Sequence, residues 1–231
     1  MKVLFLTNMP AYHQIQLAEQ LNNLLGENNF RLSIFAPLND ERKQMRWHDS
    51  YQSTYLLRFS EREEDRVTTQ EWIKSADIVI HGRFPIRYVK PRIKAGKLTF
   101  AYQERFWKKP KSVKRIISRA AHLYRNYYSV NKPNYHLLAA GSFAAKDLNS
   151  MGLFKNRSWR FGYFIDSLPP TEKPSGKLKL IWCGRMIALK QPEVALDIAK
   201  TLTDAGIEHE LTMVGGGELL ASIKQQNHAS G

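Results

Sequence analysis

The residues best suited to chemistry lie towards the C-terminal end of the sequence. The apolar run 178–183 is followed by Gly184-Arg185, then by Lys190, and then by Pro192 where a helix would open. A second apolar run, 209–214, ends in Gly215-Gly216-Gly217 before another helical stretch. A strand that turns into a helix presents unpaired N–H groups and partial positive charge, which favour phosphate. Glycines let the backbone come close to an anion. Arginine grips phosphate oxygens bidentately, and lysine adds a point charge. Two such turns on one sheet edge would hold a diphosphate, whereas either turn alone is more often an ordinary turn with solvated charges.

The rest of the chain has to position those residues. Apolar runs of strand length at 3–7, 31–36, 54–57, 77–81, 98–101 and 135–139 alternate with stretches of helical period at 14–25, 68–76, 86–95, 112–128 and 142–150. Gly26 stands where a helix would end, and Ser142 where one would be capped. Continuous rather than alternating apolar strands, each followed by a helix, indicate an α/β fold with a parallel sheet covered on both faces. Such sheets bind ligands at the carboxyl ends of their strands. The stretch 167–176, Ser-Leu-Pro-Pro-Thr-Glu-Lys-Pro-Ser-Gly, has no apolar period and reads as a linker. After it the alternation restarts, with strands at 178–183 and 209–214 and helices at 192–202 and 218–225. The expected organisation is therefore a first domain over 1–166, the linker over 167–176, and a partial second domain over 177–231 with too few layers to cover its own sheet.

The net charge of +14 is regional. Between Arg83 and Lys132 there are 15 Lys/Arg and one acid, Glu104, while the remainder is neutral. An anionic partner is expected: a membrane surface, a nucleic acid or a phosphorylated substrate. Within 112–128, Val113, Ile116, Ile117, Ala120, Tyr124 and Tyr127 recur at helical spacing. Lys108, Lys109, Lys111, Lys114, Arg115, Arg119 and Arg125 precede or flank them. A basic amphipathic helix with aromatics suits anionic lipid headgroups. The apolar stripe is expected to pack on the sheet, leaving the cations for lipid or solvent. Aromatics among the cations also permit nucleic-acid binding, but no recognised nucleic-acid motif accompanies them. The single cysteine, Cys183, excludes an internal disulfide and reads as a small core residue. No apolar run reaches the length of a membrane span, and no metal-ligand cluster stands out.

The run 180–197, Leu-Ile-Trp-Cys-Gly-Arg-Met-Ile-Ala-Leu-Lys-Gln-Pro-Glu-Val-Ala-Leu-Asp, followed by Leu-Thr-Met-Val-Gly-Gly-Gly-Glu-Leu-Leu over 211–220, resembles glycosyltransferase family 4. The resemblance is tight over 178–220 and loose over the whole chain, where Pro10-x-Tyr12-His13 and Gly162-Tyr163-Phe164 also look family-like. Gln191 stands where the family commonly has Gly, and Glu218 where it often has Pro. The resemblance implies a GT-B fold of two Rossmann-like domains with parallel sheets, the second incomplete here. It implies that Arg185 and Lys190 hold the donor diphosphate, with Gly184 and the 215–217 turn beside the nucleotide. The family's Glu-x7-Glu motif lies further on than this sequence reaches, so truncation and weak activity are expected.

The implied activity is a retaining transfer of a sugar from a nucleotide-diphosphate donor, a UDP- or GDP-sugar, to a lipid-linked glycan in cell-surface polysaccharide biosynthesis. No cofactor and no metal are expected. His13 and Glu104 are the acceptor-side catalytic candidates, with His81 behind them. Each has a structural alternative: a polar residue at a helix start for His13, pairing with a neighbouring cation for Glu104. The expected location is cytoplasmic, peripheral at the inner face of the plasma membrane. The competing expectation is an inactive acceptor- or membrane-binding module.

Overall fold

The computed structural model describes residues 1–44, 47–107, 113–165, 169 and 176–229, and the side chains at 41, 113–115, 118 and 227–229 lie outside that description. Two compact units are present: Met1–Asn39 with His48–Ser167, and Asp40–Trp47 with Leu168–Gly231.

In the first unit the strands are β1 (Val3–Thr7), β2 (Phe30–Ile34), β3 (Leu56–Arg58), β4 (Ile78–His81), β5 (Thr99–Glu104), β6 (Tyr135–Ala140) and β7 (Ser158–Phe161). Among the described residues they form one seven-stranded sheet, ordered β3-β2-β1-β4-β5-β6-β7, with every neighbouring pair parallel. Side chains alternate across a strand, so one apolar strand can serve two faces. Leu4 and Leu6 enter one core with Val79, Tyr135 and Leu137, while Val3 and Phe5 enter the other with Phe30, Leu32 and Ile34. All five residues of β1 are buried. This explains why the sequence shows unbroken apolar runs rather than alternation.

The helices are α1 (Tyr12–Leu25), α2 (Asp40–Gln44), which belongs to the second unit, α3 (Glu63–Ser75), α4 (Ile86–Lys94), α5 (Val113–Asn126) and α6 (Ala144–Asn149). α1 ends at Gly26, whose φ of 82° favours glycine. α3 begins well before the apolar period that the sequence reading relied on. Its first turn is Glu63-Glu64-Asp65, acids that suit a helix N-terminus, and Asp65 accepts the Arg58 N–H at 2.7 Å. α6 does not use the expected Ser142 cap: Phe143 is the N-cap residue and no side-chain cap bond forms. The edge strand β7 was not anticipated, because its residues are half-buried or exposed and carry no apolar run.

One cation of the basic segment has a structural role. Arg92 is 3% exposed. Its guanidinium donates to the carbonyls of Ile73, Ala76, Asp77 and Leu98 and to the Thr99 hydroxyl, at 2.7–3.2 Å. It ties the end of α3 to the start of β5, and burial lowers its pKa to about 10.

The second unit contains β8 (Leu178–Cys183), α7 (Glu193–Asp204), β9 (His209–Val214) and α8 (Leu220–Ala229). The two strands are parallel, paired from Leu178–His209 to Cys183–Val214. None of their residues is buried. Cys183 is exposed, which corrects the expectation of a core residue. Most of the anticipated linker, 167–168 and 170–175, lies outside the described residues.

Candidate functional site

In the second unit, the loops after β8 and β9 continue the ladder side by side. The Gly184 N–H donates to the Val214 carbonyl at 3.0 Å, and the Met186 N–H to the Gly216 carbonyl at 2.8 Å. The Leu219 N–H returns to the Met186 carbonyl at 2.9 Å. The approach is so close that a β-carbon on Gly215 would lie 1.8 Å from the Gly184 carbonyl oxygen, and one on Gly217 2.5 Å from that of Met186. Both glycines also have positive φ, 142° and 150°. Gly216 differs, since a β-carbon there would meet nothing within 4 Å. Two glycines are thus required by loop-to-loop packing, and the middle one faces open space.

Arg185, half-buried, projects from the first of these loops. Lys190, exposed, ends a short 3-10 turn, Ala188–Lys190. Gln191 then adopts φ 47°, a left-handed conformation that costs a non-glycine residue about 1 kcal/mol. That conformation accounts physically for a glycine preference at this position. Pro192 precedes α7 as its N-cap residue.

In the first unit, the candidates His13 and Glu104 belong to one side-chain group at the carboxyl edge of the sheet. His13 is the second residue of α1, just beyond β1, and Glu104 ends β5. Tyr163 joins them. Its ring meets the His13 imidazole edge-on at 4.3 Å between centroids, and its hydroxyl donates to the Glu104 carboxylate. The 161–164 stretch is held there by the Tyr102 hydroxyl, which donates to the Gly162 carbonyl at 3.0 Å, and by Phe161 against Tyr102. Burial holds the His13 imidazole below its ordinary pKa, opposed by the Glu104 charge. A neutral imidazole beside a carboxylate can accept or relay a proton. The sequence reading placed Tyr163 in a family-like run but did not connect it to His13 and Glu104.

Beside this group, at the ends of β4 and β5 and against α5, lies a cavity of about 520 Å³. His81 is in its wall, buried, with Nε2 2.7 Å from the Tyr135 hydroxyl, and burial lowers its pKa to about 4. Arg83, Arg105, Arg119 and His122 also line the cavity. Sequence reasoning counted the three arginines in the basic segment 83–132 and placed Arg119 alone of them in the membrane or anion patch. The better signal was position, since Gly82-Arg83 directly follows a strand.

α5 corrects the expected stripe. Leu123 and Tyr127 are buried, but Ile116 is 45% exposed, Ile117 68% and Tyr124 67%. Arg119 occupies the turn before Leu123, held by its bond to the Phe106 carbonyl at 2.7 Å and by stacking on the Phe106 ring. This register turns the isoleucines outward. Arg125 is exposed. Lys108, Lys109 and Lys111, and the side chains of Lys114 and Arg115, lie outside the described residues.

Among the described residues, no group of His, Cys, Asp and Glu could hold a metal ion, and no helix is long and apolar enough to cross a membrane. The fold is that of a doubly wound α/β protein, with β1 and β4 adjacent where the strand order reverses. No family model matches the chain. No curated protein matches it either. The solved structures to which the chain is similar include three glycosyltransferases. A glycotransferase of kitacinnamycin shares 11% identity over 92% of this chain, with a TM-score of 0.43. A ugt transferase from Siraitia grosvenorii, in complex with UDP, shares 10% over 92%, with a TM-score of 0.46. The spinosyn rhamnosyltransferase SpnG, complexed with thymidine diphosphate, shares 11% over 93%, with a TM-score of 0.40. This chain spans 65% of the length of each.

Proposed function

We propose that the chain acts as a GT-B glycosyltransferase of the family 4 kind, moving a sugar from a UDP- or GDP-sugar to a lipid-linked glycan acceptor with retention of configuration. The observation that carries this reading is the ribbon of 184–186 and 214–219 in the second unit. It sets Arg185 and the free-faced Gly216 on adjacent loops, with Lys190 one short turn further on. In the proposed step, the acceptor hydroxyl oxygen bonds to the sugar's anomeric carbon as the bond between the sugar and the diphosphate breaks, and the leaving diphosphate gains negative charge and takes up the hydroxyl proton. Fixed N–H groups and cations placed where that charge develops stabilise the transition state without reorganising. Positioning of the acceptor hydroxyl falls to the first unit, where His13, Tyr163 and Glu104 form a polar group at the sheet edge.

The outward side of α5 supports a peripheral place at an anionic membrane, at the cytoplasmic face. It offers Ile116, Ile117 and Tyr124 to solvent within the segment that carries the net charge. The deciding experiment is calorimetric titration of UDP and GDP into the protein and its Arg185→Ala variant. Loss of the charge-assisted contact should weaken binding about tenfold or more. Equal affinities for wild type and variant would remove Arg185 from the site and the reading with it.

A further inference from the structure

The cavity in the first unit is a cationic place of its own. Among its lining residues every charged side chain is basic, and no carboxylate takes part. Two of its guanidiniums are anchored from behind. Arg105 pairs with Asp147 at 3.2 Å, and Arg119 bonds to the Phe106 carbonyl at 2.7 Å. Arg83 is different: its side chain makes no hydrogen bond or ion pair with the other described residues, and its backbone is held at φ 49°. A bulky residue in the left-handed region is strained, and such strain persists where the fold over-determines it, commonly at binding sites. Here the residue before it is Gly82 and the residue after it is the core side chain Phe84, 2% exposed, which fixes the local path. The cations act on one another's neighbours: burial first, and then Arg119, Arg125 and Arg83, hold the His122 imidazole below its ordinary pKa. Arg83 and Arg119 have no acidic partner among the described residues, and like charges so gathered raise each other's energy, a cost that an anion relieves.

We propose that this cavity binds a phosphoryl group, a phosphate or diphosphate ester, through Arg83, Arg119 and His122. Guanidiniums match phosphate oxygens bidentately, and the aromatic remainder of the wall, including Phe84, Phe106 and Tyr102, suits the neutral part of such an ester. At about 520 Å³ the space exceeds what an inorganic phosphate needs. The site stands on the first unit alone and does not depend on the donor reading of the second. In the proposed transfer it would serve the acceptor, because it adjoins β5, which ends in Glu104.

The test uses the full chain carrying Arg185→Ala, so that diphosphate bound in the second unit does not mask the result. Inorganic diphosphate is titrated calorimetrically, with and without Arg83→Gly. Glycine accepts φ 49° freely, so the added substitution removes the guanidinium while keeping or raising the melting temperature. The dissociation constant is expected to rise about tenfold or more. Unchanged affinity, or no binding before Arg83→Gly is added, overturns the proposal. Sedimentation with phosphatidic acid vesicles then separates the sources. Release of the vesicle-bound protein by diphosphate supports a lipid phosphate as the ligand. Arg83-dependent diphosphate binding without such release supports a free phosphate ester. UDP affinity that ignores Arg185 would sink the donor reading and leave the Arg83 result standing.

Discussion

Gly215, Gly216 and Gly217 look equivalent in the sequence, but the structure separates them. Gly215→Ala would drive a β-carbon to 1.8 Å from the Gly184 carbonyl oxygen, so the two loops must part. A loss of roughly 1–3 kcal/mol is expected, seen as faster proteolysis of the 184–219 region. Gly216→Ala meets open space, and stability should stay within about 0.5 kcal/mol. If a diphosphate sits against that bend, Gly216→Ala weakens nucleotide binding without weakening the fold. His81 gives a second prediction at this scale. Its ordinary pKa of 6.5 falls to about 4 in the folded protein because the ring is buried. The unfolded chain therefore binds the extra proton first. Stability is complete above about pH 6.5 and is lost as pH falls towards 4, by about 3 kcal/mol in all. His81→Gln keeps a partner for the Tyr135 hydroxyl and should flatten that part of the urea midpoint-versus-pH curve. An unchanged slope would assign the acid sensitivity elsewhere. Residue types and spacing were enough to single out Arg185, Lys190, His13 and Glu104. They could not show that Tyr163, about 60 residues beyond Glu104, closes on both His13 and Glu104, because that closeness comes from strand order and not from any local pattern.

Among the elements, the buried strands were the easiest to read, since β1, β4, β5 and β6 each carry a mainly apolar run, with polar residues such as Thr7, His81 and Glu104 at their carboxyl ends. The early start of α3 and the edge strand β7 were not legible, because one opens on acids and the other buries little. α5 shows the main weakness of periodicity. Two apolar stripes overlap on it, and the sequence cannot say which one the sheet takes. Leu123, and Tyr127 just past the helix end, were taken, while Ile117 was left 68% exposed. A charge at Ile117 should therefore cost the fold little: Ile117→Glu is expected to change unfolding stability by no more than about 0.5 kcal/mol. The same change removes an apolar contact worth roughly 1.5–3 kcal/mol where the helix meets lipid. Sedimentation with anionic vesicles should then fall about tenfold. A marked drop in melting temperature would instead mean that the outward face is packed within the protein.

At the scale of the whole molecule, the two units differ in what they bury. The first sandwiches its sheet between two apolar clusters, one built around Leu4, Leu6 and Tyr135 and the other around Phe5, Phe30 and Leu32. The second has a two-stranded sheet with no buried strand residue, and among the described residues its buried apolar side chains are Met186, Ala195 and Ile223. Ile181 is 73% exposed and Ile198 50%. A segment of this size offsets its conformational entropy only by burying a large share of its apolar surface. The two units should therefore behave differently when separated. A protein of residues 1–166 is expected to keep its circular dichroism and to unfold cooperatively with heat. A peptide of residues 177–231 should show a broad, non-cooperative change and bind a dye for exposed apolar surface. A sharp melt by that peptide would mean that its ribbon and α7 hold together without a covering layer, and that the loops after β8 and β9 are organised by local backbone bonds alone.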